Sequence, residues 1–198
     1  MKSFALAGLL AATAFANGSV ALAEAQKYAL DPSHSQIVFS YDHAGFSRTT
    51  GVFSGFDGEI QFDQQDPAAS SVLVSFPVDT MFTGWEARAA HFLQSGDFFN
   101  LAEHPTITFE STDIDVTGDT TALITGNLTM NGVTRPVVLD SAMVKAGEYP
   151  FPPFQGKAAA GFVASTTVLR SDFNLGLFAP FVSDAVKIDL SIEAMAAD

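Results

Sequence analysis

From Ser33 onward, apolar and polar residues alternate with a period of two, the spacing that puts successive side chains on opposite faces of a β-strand. Over residues 35–44, Ile37, Phe39, Tyr41 and His43 share one face, with Val38, Ser40 and Asp42 on the other. Residues 52–62 repeat the pattern: Val52, Ser54, Phe56, Gly58, Ile60 and Phe62 face one way, Phe53, Gly55, Asp57, Glu59 and Gln61 the other, and Asp66-Pro67 ends the run. Further strands are predicted through Val72, Val74, Phe76 and Val78, through Ile107, Phe109 and Ser111, and through Ala122, Ile124, Gly126, Leu128 and Met130. Asn131-Gly132 then predicts a tight hairpin turn, because both residues accept positive φ, and Val137, Leu139 and Ser141 continue the alternation. Two long runs close the chain: residues 158–170, with Phe162, Ala164 and Val168 in phase, and residues 185–194, where Val186, Ile188, Leu190 and Ile192 alternate with Lys187, Asp189, Ser191 and Glu193.

Eight such strands joined by short turns predict an all-β fold, an eight-stranded antiparallel β-barrel whose closure removes exposed edges. A β-sandwich is the alternative that the pattern leaves open, but strands of about ten residues reach roughly 33 Å, which suits a tall barrel better. One segment departs from the period. Residues 86–95 (EARAAHFLQS) predict a short helix with Ala87, Ala90, His91 and Gln94 on one face, placed to lie across a barrel mouth with Phe98 and Phe99 following it. The Pro-rich stretch at 148–155 cannot donate a regular ladder of hydrogen bonds and is predicted as a loop carrying Phe151 and Phe154.

Residues 1–23 stand apart: Lys2, the apolar run from Phe4 to Phe15 and the closing Ala21-Leu22-Ala23 read as a cleaved secretory signal peptide, too short to span a bilayer. Residues 24–198 are then one domain, and the expected location is the periplasm or outside the cell. Charge and composition narrow the function. Beyond residue 23 there are eight basic against 22 acidic residues, and the basic ones are scattered singly, so no basic stripe exists to neutralise a phosphate backbone. The same sign disfavours anionic lipid surfaces, and no later segment has the roughly 20 unbroken apolar residues of a membrane helix. The 19 Phe, beside three Tyr and one Trp, point to a large apolar interior, since each buried aromatic removes about 150–250 Å² from water.

Catalytic and metal signatures are sparse. There is no Cys, no Gly-x-Ser-x-Gly nucleophile turn, and no pair among His34, His43, His91 and His104 at metal-ligand spacing. His43 falls on the predicted inner face, where a satisfied wall role is its first reading and contact with a polar ligand head the functional alternative. Arg170 is in phase with Phe162 and Val168, so a rim ion pair with Asp172 or contact with a ligand head group are its two readings.

Several strings in order resemble the YceI-like family of bacterial periplasmic or secreted, polyisoprenoid-binding proteins. They are Asp31-Pro-Ser-His34-Ser35, the run at 51–63 (GVFSGFDGEIQFD), Arg88-Ala-Ala-His91, Asp97-Phe98-Phe99, the run at 105–111 (PTITFES), the run at 126–137 (GNLTMNGVTRPV), Arg170-Ser-Asp-Phe173 and Val182-Ser-Asp184. The resemblance implies a lipocalin-like barrel with an elongated hydrophobic channel, no catalysis, and a bound isoprenoid, quinone-like or other long-chain amphipathic lipid in place of any cofactor, often in a homodimer. Asn174 stands where the family usually has Gly, and the Pro/Phe loop is particular to this chain. The candidate ligand-binding residues are Phe39, Tyr41, His43, Val52, Phe56, Phe76, Trp85, Phe92, Phe109, Leu128, Met130, Phe162, Arg170 and Leu190. An enzyme using His43 or His91 on such a ligand, and a stress-protective dimer joined through the Phe-rich loop, are the alternatives from other classes.

Overall fold

The computed structural model describes residues 25–197, so the predicted signal peptide at 1–23 lies outside the described residues. Ten strands make one antiparallel sheet: β1 (Gln26–Leu30), β2 (Gln36–His43), β3 (Ser47–Phe53), β4 (Asp57–Phe62), β5 (Ser71–Pro77), β6 (Thr106–Val116), β7 (Thr121–Met130), β8 (Val133–Glu148), β9 (Ala158–Leu169) and β10 (Ala185–Ala196). The order β1-β4-β5-β6-β7-β8-β9-β10, with β10 returning to β1, closes a ring of eight strands. The predicted eight-stranded antiparallel barrel is therefore the observed fold, with β2 and β3 as two additional strands.

How β2 and β3 join the ring follows from the edge of β10. Lys187 to Ser191 pair with β2, whereas Ala194 to Ala196 pair with β1. β2 then pairs with β3, and the outer edge of β3 is met by Phe82, which exchanges backbone hydrogen bonds with Val52 at 2.8 and 2.9 Å. The wall is thus β1 and β4 at one level and β2 and β3 at the other.

This division corrects the reading of residues 52–62 as one strand. Ser54, Gly55 and Phe56 separate β3 from β4, and Phe53 and Phe56, three residues apart, are both buried. An odd spacing across the break reverses the phase. Gly51 and Phe53 face inward and Val52 does not, contrary to its predicted place on the inner face. The strand β1 escaped notice because it has only two buried apolar positions, Tyr28 and Leu30. Bulges between Ser111 and Asp113 and between Met143 and Lys145 shift the register twice more.

The predicted hairpin turn at Asn131-Gly132 has φ of 50° and 77°, and the helix forms as α1 (Glu86–Gln94). Phe92 and Leu93 of this helix pack on the core, while Ala87, His91 and Gln94 are exposed. Phe92 meets Tyr41 edge-on at 6.2 Å and Phe98 at 5.0 Å between ring centroids, and this cluster closes one end of the barrel. Among the described residues, no helix is long and apolar enough to cross a membrane.

Candidate functional site

The alternation of the strands sends one apolar face of each inward, and these faces border a cavity of about 250 Å³. It runs from the β6–β7 turn, where Gly118, Asp119 and Thr120 line it, to Phe39, Phe76 and Leu128 deep in the barrel. Along β7 alone the lining passes from Ala122 through Ile124 to Met130, about 26 Å of strand, or roughly 20 Å of depth once strand tilt is allowed for. The space is therefore elongated and narrow. Inward residues such as Ile124, Leu139, Phe162, Ile188 and Leu190 are only half-buried, because each borders the cavity instead of packing against a side chain opposite.

Polarity is concentrated at the mouth, the exception being Thr166 of β9, which lies at the level of Ile188 and Phe39 deep in the barrel. Gln64, Ser70, Asp119, Thr120 and Thr121 stand at the mouth, and Ser141, part-way in, spends its hydroxyl on the Ala122 carbonyl at 2.8 Å. Asp119 is the one ionisable residue among those lining the cavity. Apolar walls with a few polar groups at the rim suit an apolar or amphipathic molecule.

Two inner positions carry no side chain, and a ring fills each. The Phe39 ring covers Gly51, its partner across the β2–β3 ladder, and the Phe109 ring covers Gly126. Bulky Phe rings thus lie along the wall and leave the lumen open.

Seven of the fourteen candidates line this cavity: Phe39, Phe76, Phe109, Leu128, Met130, Phe162 and Leu190. The other seven lie elsewhere. Tyr41 and Phe92 belong to the plug at the closed end. Val52 faces away after the phase change, and Phe56 is buried against Phe76 at 5.1 Å. Trp85 is 61% exposed beneath the Arg88 guanidinium, 5.6 Å from the ring centroid. His43 is exposed at the end of β2, its backbone bridged to Val182. Phe53, Ile60, Phe62 and Ile114 also line the cavity. Ile60 and Phe62 were legible as inward residues of β4, whereas Phe53 and Ile114 depend on the chain break and the β6 bulge.

Arg170 does not pair with Asp172. Its guanidinium donates to the carbonyls of Leu175 (2.6 Å), Val182 (2.8 Å), Ser183 (2.9 Å) and Leu177 (3.1 Å), tying down the 170–184 loop at the closed end. Asp172 is exposed. Burial lowers the Arg170 guanidinium pKa, and electrostatic interaction with Asp184 and then Tyr41 opposes the shift. Asp184 also accepts from the Ser171 hydroxyl at 2.6 Å, and that bond, more than the nearby Arg170, holds its carboxyl below the usual range.

A separate cluster lies at the mouth end: Asp31, His34 and Glu193 bring ligating atoms within 4.8 Å of one another. His34 Nδ1 stands 2.7 Å from Asp31 Oδ2, and a carboxylate partner requires the proton on that nitrogen, making it a donor and not a metal ligand. Ser33 donates to Asp31 through both its amide and its hydroxyl. The cluster reads as a clasp between the β1–β2 connection and β10.

Comparison with known proteins agrees with this architecture. Residues 28–194 match the model of the YceI-like domain. A UPF0312 protein of Ectopseudomonas mendocina is 38% identical over 197 residues, 98% of this chain and 99% of its own length. Burkholderia cenocepacia BcnA superposes with a TM-score of 0.71 at 22% identity, over 83% of this chain and 98% of that one. A polyisoprenoid-binding domain from Saccharophagus degradans, implicated in plant cell wall breakdown, superposes with a TM-score of 0.59 at 14% identity, over 86% and 98%. With a family model spanning most of the chain and a relative similar from end to end, this protein belongs to the YceI-like family.

Proposed function

We propose that this protein is a periplasmic binding protein that holds one long-chain amphipathic molecule, a polyisoprenoid, isoprenoid quinone or fatty-acid-like lipid, with its tail in the barrel and its polar head at the mouth. The observation that carries this reading is the narrow, largely apolar cavity with most of its polar groups gathered at one end. The polyisoprenoid-binding domain among the structural neighbours supports it at the level of fold. At about 25 cal/mol per Å², burying some 400 Å² of tail gives a gross gain of roughly 10 kcal/mol, from which ordering costs are subtracted. Affinity then comes from the tail, with weak selection among heads.

Geometry favours binding over turnover. His91 pairs with Asp97 at 3.1 Å, but both are exposed outside the cavity. His43 is outside it too, and Asp119 has no ionisable partner among the lining residues. A general acid–base mechanism needs its groups within reach of the substrate. Native mass spectrometry of the protein purified without detergent, followed by organic extraction, is the direct test. A co-purified lipid, or saturable one-to-one uptake of cis-parinaric acid, is the expected result. A protein that carries no lipid and takes up no cis-parinaric acid overturns the proposal.

A further inference from the structure

β8 outruns its neighbour. β7 pairs with it only as far as Thr121 opposite Ala142, and Met143 N–H then donates to Thr120 O at 2.8 Å. β8 continues to Glu148 with β9 as its ladder partner, so the β8–β9 hairpin rises past the β6–β7 turn that lines the cavity mouth. Its stem is part of the cavity wall, through Met143 and Val163. At its tip Tyr149 sits between Phe151 and Phe154, with ring centroids 6.2 and 6.4 Å away. Phe151 is 65% exposed and Phe154 43%.

Resting on the lipid-binding reading above, we infer that this tip is a membrane-touching element, which seats the cavity mouth on the surface of a zwitterionic phospholipid bilayer so that the apolar ligand passes directly between bilayer and barrel. Three further observations commit the surface to this partner. Between Glu148 and Lys157 the tip has no charged residue, in a chain of net charge −13. An uncharged aromatic tip suits the headgroup region, while the acidic body is repelled by anionic lipid. The base of the tip is closed by its own backbone, which fixes the turn that presents Phe151 and Phe154: Tyr149 N–H donates to Lys157 O, Gly156 N–H to Tyr149 O and Lys157 N–H to Phe154 O, at 2.8 to 2.9 Å. Finally, the two most exposed aromatics among the described residues, Phe46 and Phe181, lie at the opposite end, where Tyr41, Phe92 and Phe98 block the way to the cavity. Docking there would deliver nothing to the lumen.

The experiment is flotation of the full mature protein with phosphatidylcholine vesicles, without ligand, alongside transfer of cis-parinaric acid from the same vesicles. Wild type is expected to float and to accept the acid at a rate that rises with vesicle concentration. Phe151→Ser/Phe154→Ser should lower both by tenfold or more and leave equilibrium affinity for the acid within twofold, whereas Phe46→Ser/Phe181→Ser should change neither. Phe151→Asp serves as a second tip variant, and thermal melting verifies that each variant is folded. The inference is overturned if wild type does not float, if the tip variants float as well as wild type, if the Phe46/Phe181 variant is the one that fails, if only phosphatidylglycerol vesicles bind, or if light scattering shows that the tip variants break a dimer instead. A wild type that floats but takes up no acid at equilibrium refutes the lipid-binding reading; one that takes up acid and does not float refutes the tip alone.

Discussion

Phe39 lies directly across the β2–β3 ladder from Gly51, and its ring occupies the space that a Cβ at 51 would need. The Phe109 ring likewise occupies the Cβ space of Gly126, from a position diagonally across the β6–β7 ladder. A Phe-rich barrel stays hollow because these rings have glycine to lie on. Gly51→Ala is therefore expected to push the Phe39 ring off the wall into the lumen, destabilising the protein by about 1–3 kcal/mol through overpacking and reducing its capacity for cis-parinaric acid. Urea unfolding and fluorescence titration measure the two effects; an alanine variant equal to wild type in both counts against this account of the cavity.

Filling the lumen separates binding from folding. Ala164 of β9 borders the cavity and is half-buried, so Ala164→Phe adds a ring to open space. Affinity for cis-parinaric acid should fall by about tenfold or more, equivalent to ~1.4 kcal/mol, with the melting temperature held or raised. Unaltered affinity would show that the ligand sits elsewhere.

Arg170 is predicted to matter for stability and not for head-group contact. Arg170→Met leaves four loop carbonyls without their donor, at an expected cost of about 3 kcal/mol or more. Arg170→Lys should rescue little, because an ammonium cannot reproduce the planar fork that reaches several carbonyls at once. Chemical denaturation of both variants provides the comparison. A full rescue by Lys would mean that charge alone holds the loop.

The clasp at the mouth gives a signed pH dependence. The hydrogen bond to Asp31, and then that carboxylate's charge, raise the His34 pKa. His34 therefore contributes stability that is complete below its unfolded value of about 6.5 and is lost as pH rises through the folded value. For Asp31, burial opposes the charged form, but hydrogen bonds from His34 and Ser33 outweigh it and the pKa is lowered. Its contribution is present above about 3.9 and lost as pH falls through the folded value. The clasp is thus strongest between about pH 4 and 6.5. Melting curves of wild type and His34→Gln across this range and up to about pH 9 should converge at high pH; a constant gap between them would remove His34 titration as the cause.

Much of the barrel was legible from local pattern. Ile188, Leu190 and Ile192 alternate with charged or hydroxyl residues so regularly that both strand and facing follow from period alone, and Asn131-Gly132 marks its hairpin by the φ values that it tolerates. The site was half legible. The alternation puts Val52 on the inner face, and nothing in it signals the interruption at Ser54-Gly55-Phe56 that turns Val52 away. For Arg170 the sequence offers Asp172 as a near partner, whereas the carbonyls that hold it come from as far as Ser183.

Phe39 and Tyr41 mark the limit of such reading. Being two residues apart on one strand, they share a face, and alternation determines that much. Phe39 lines the cavity because Gly51 arrives opposite it, while Tyr41 is capped because α1 brings Phe92 from fifty residues onward. Facing is a property of the local backbone; whether an inward side chain meets open space, a glycine or another ring depends on segments distant in the chain, and folding alone brings those together.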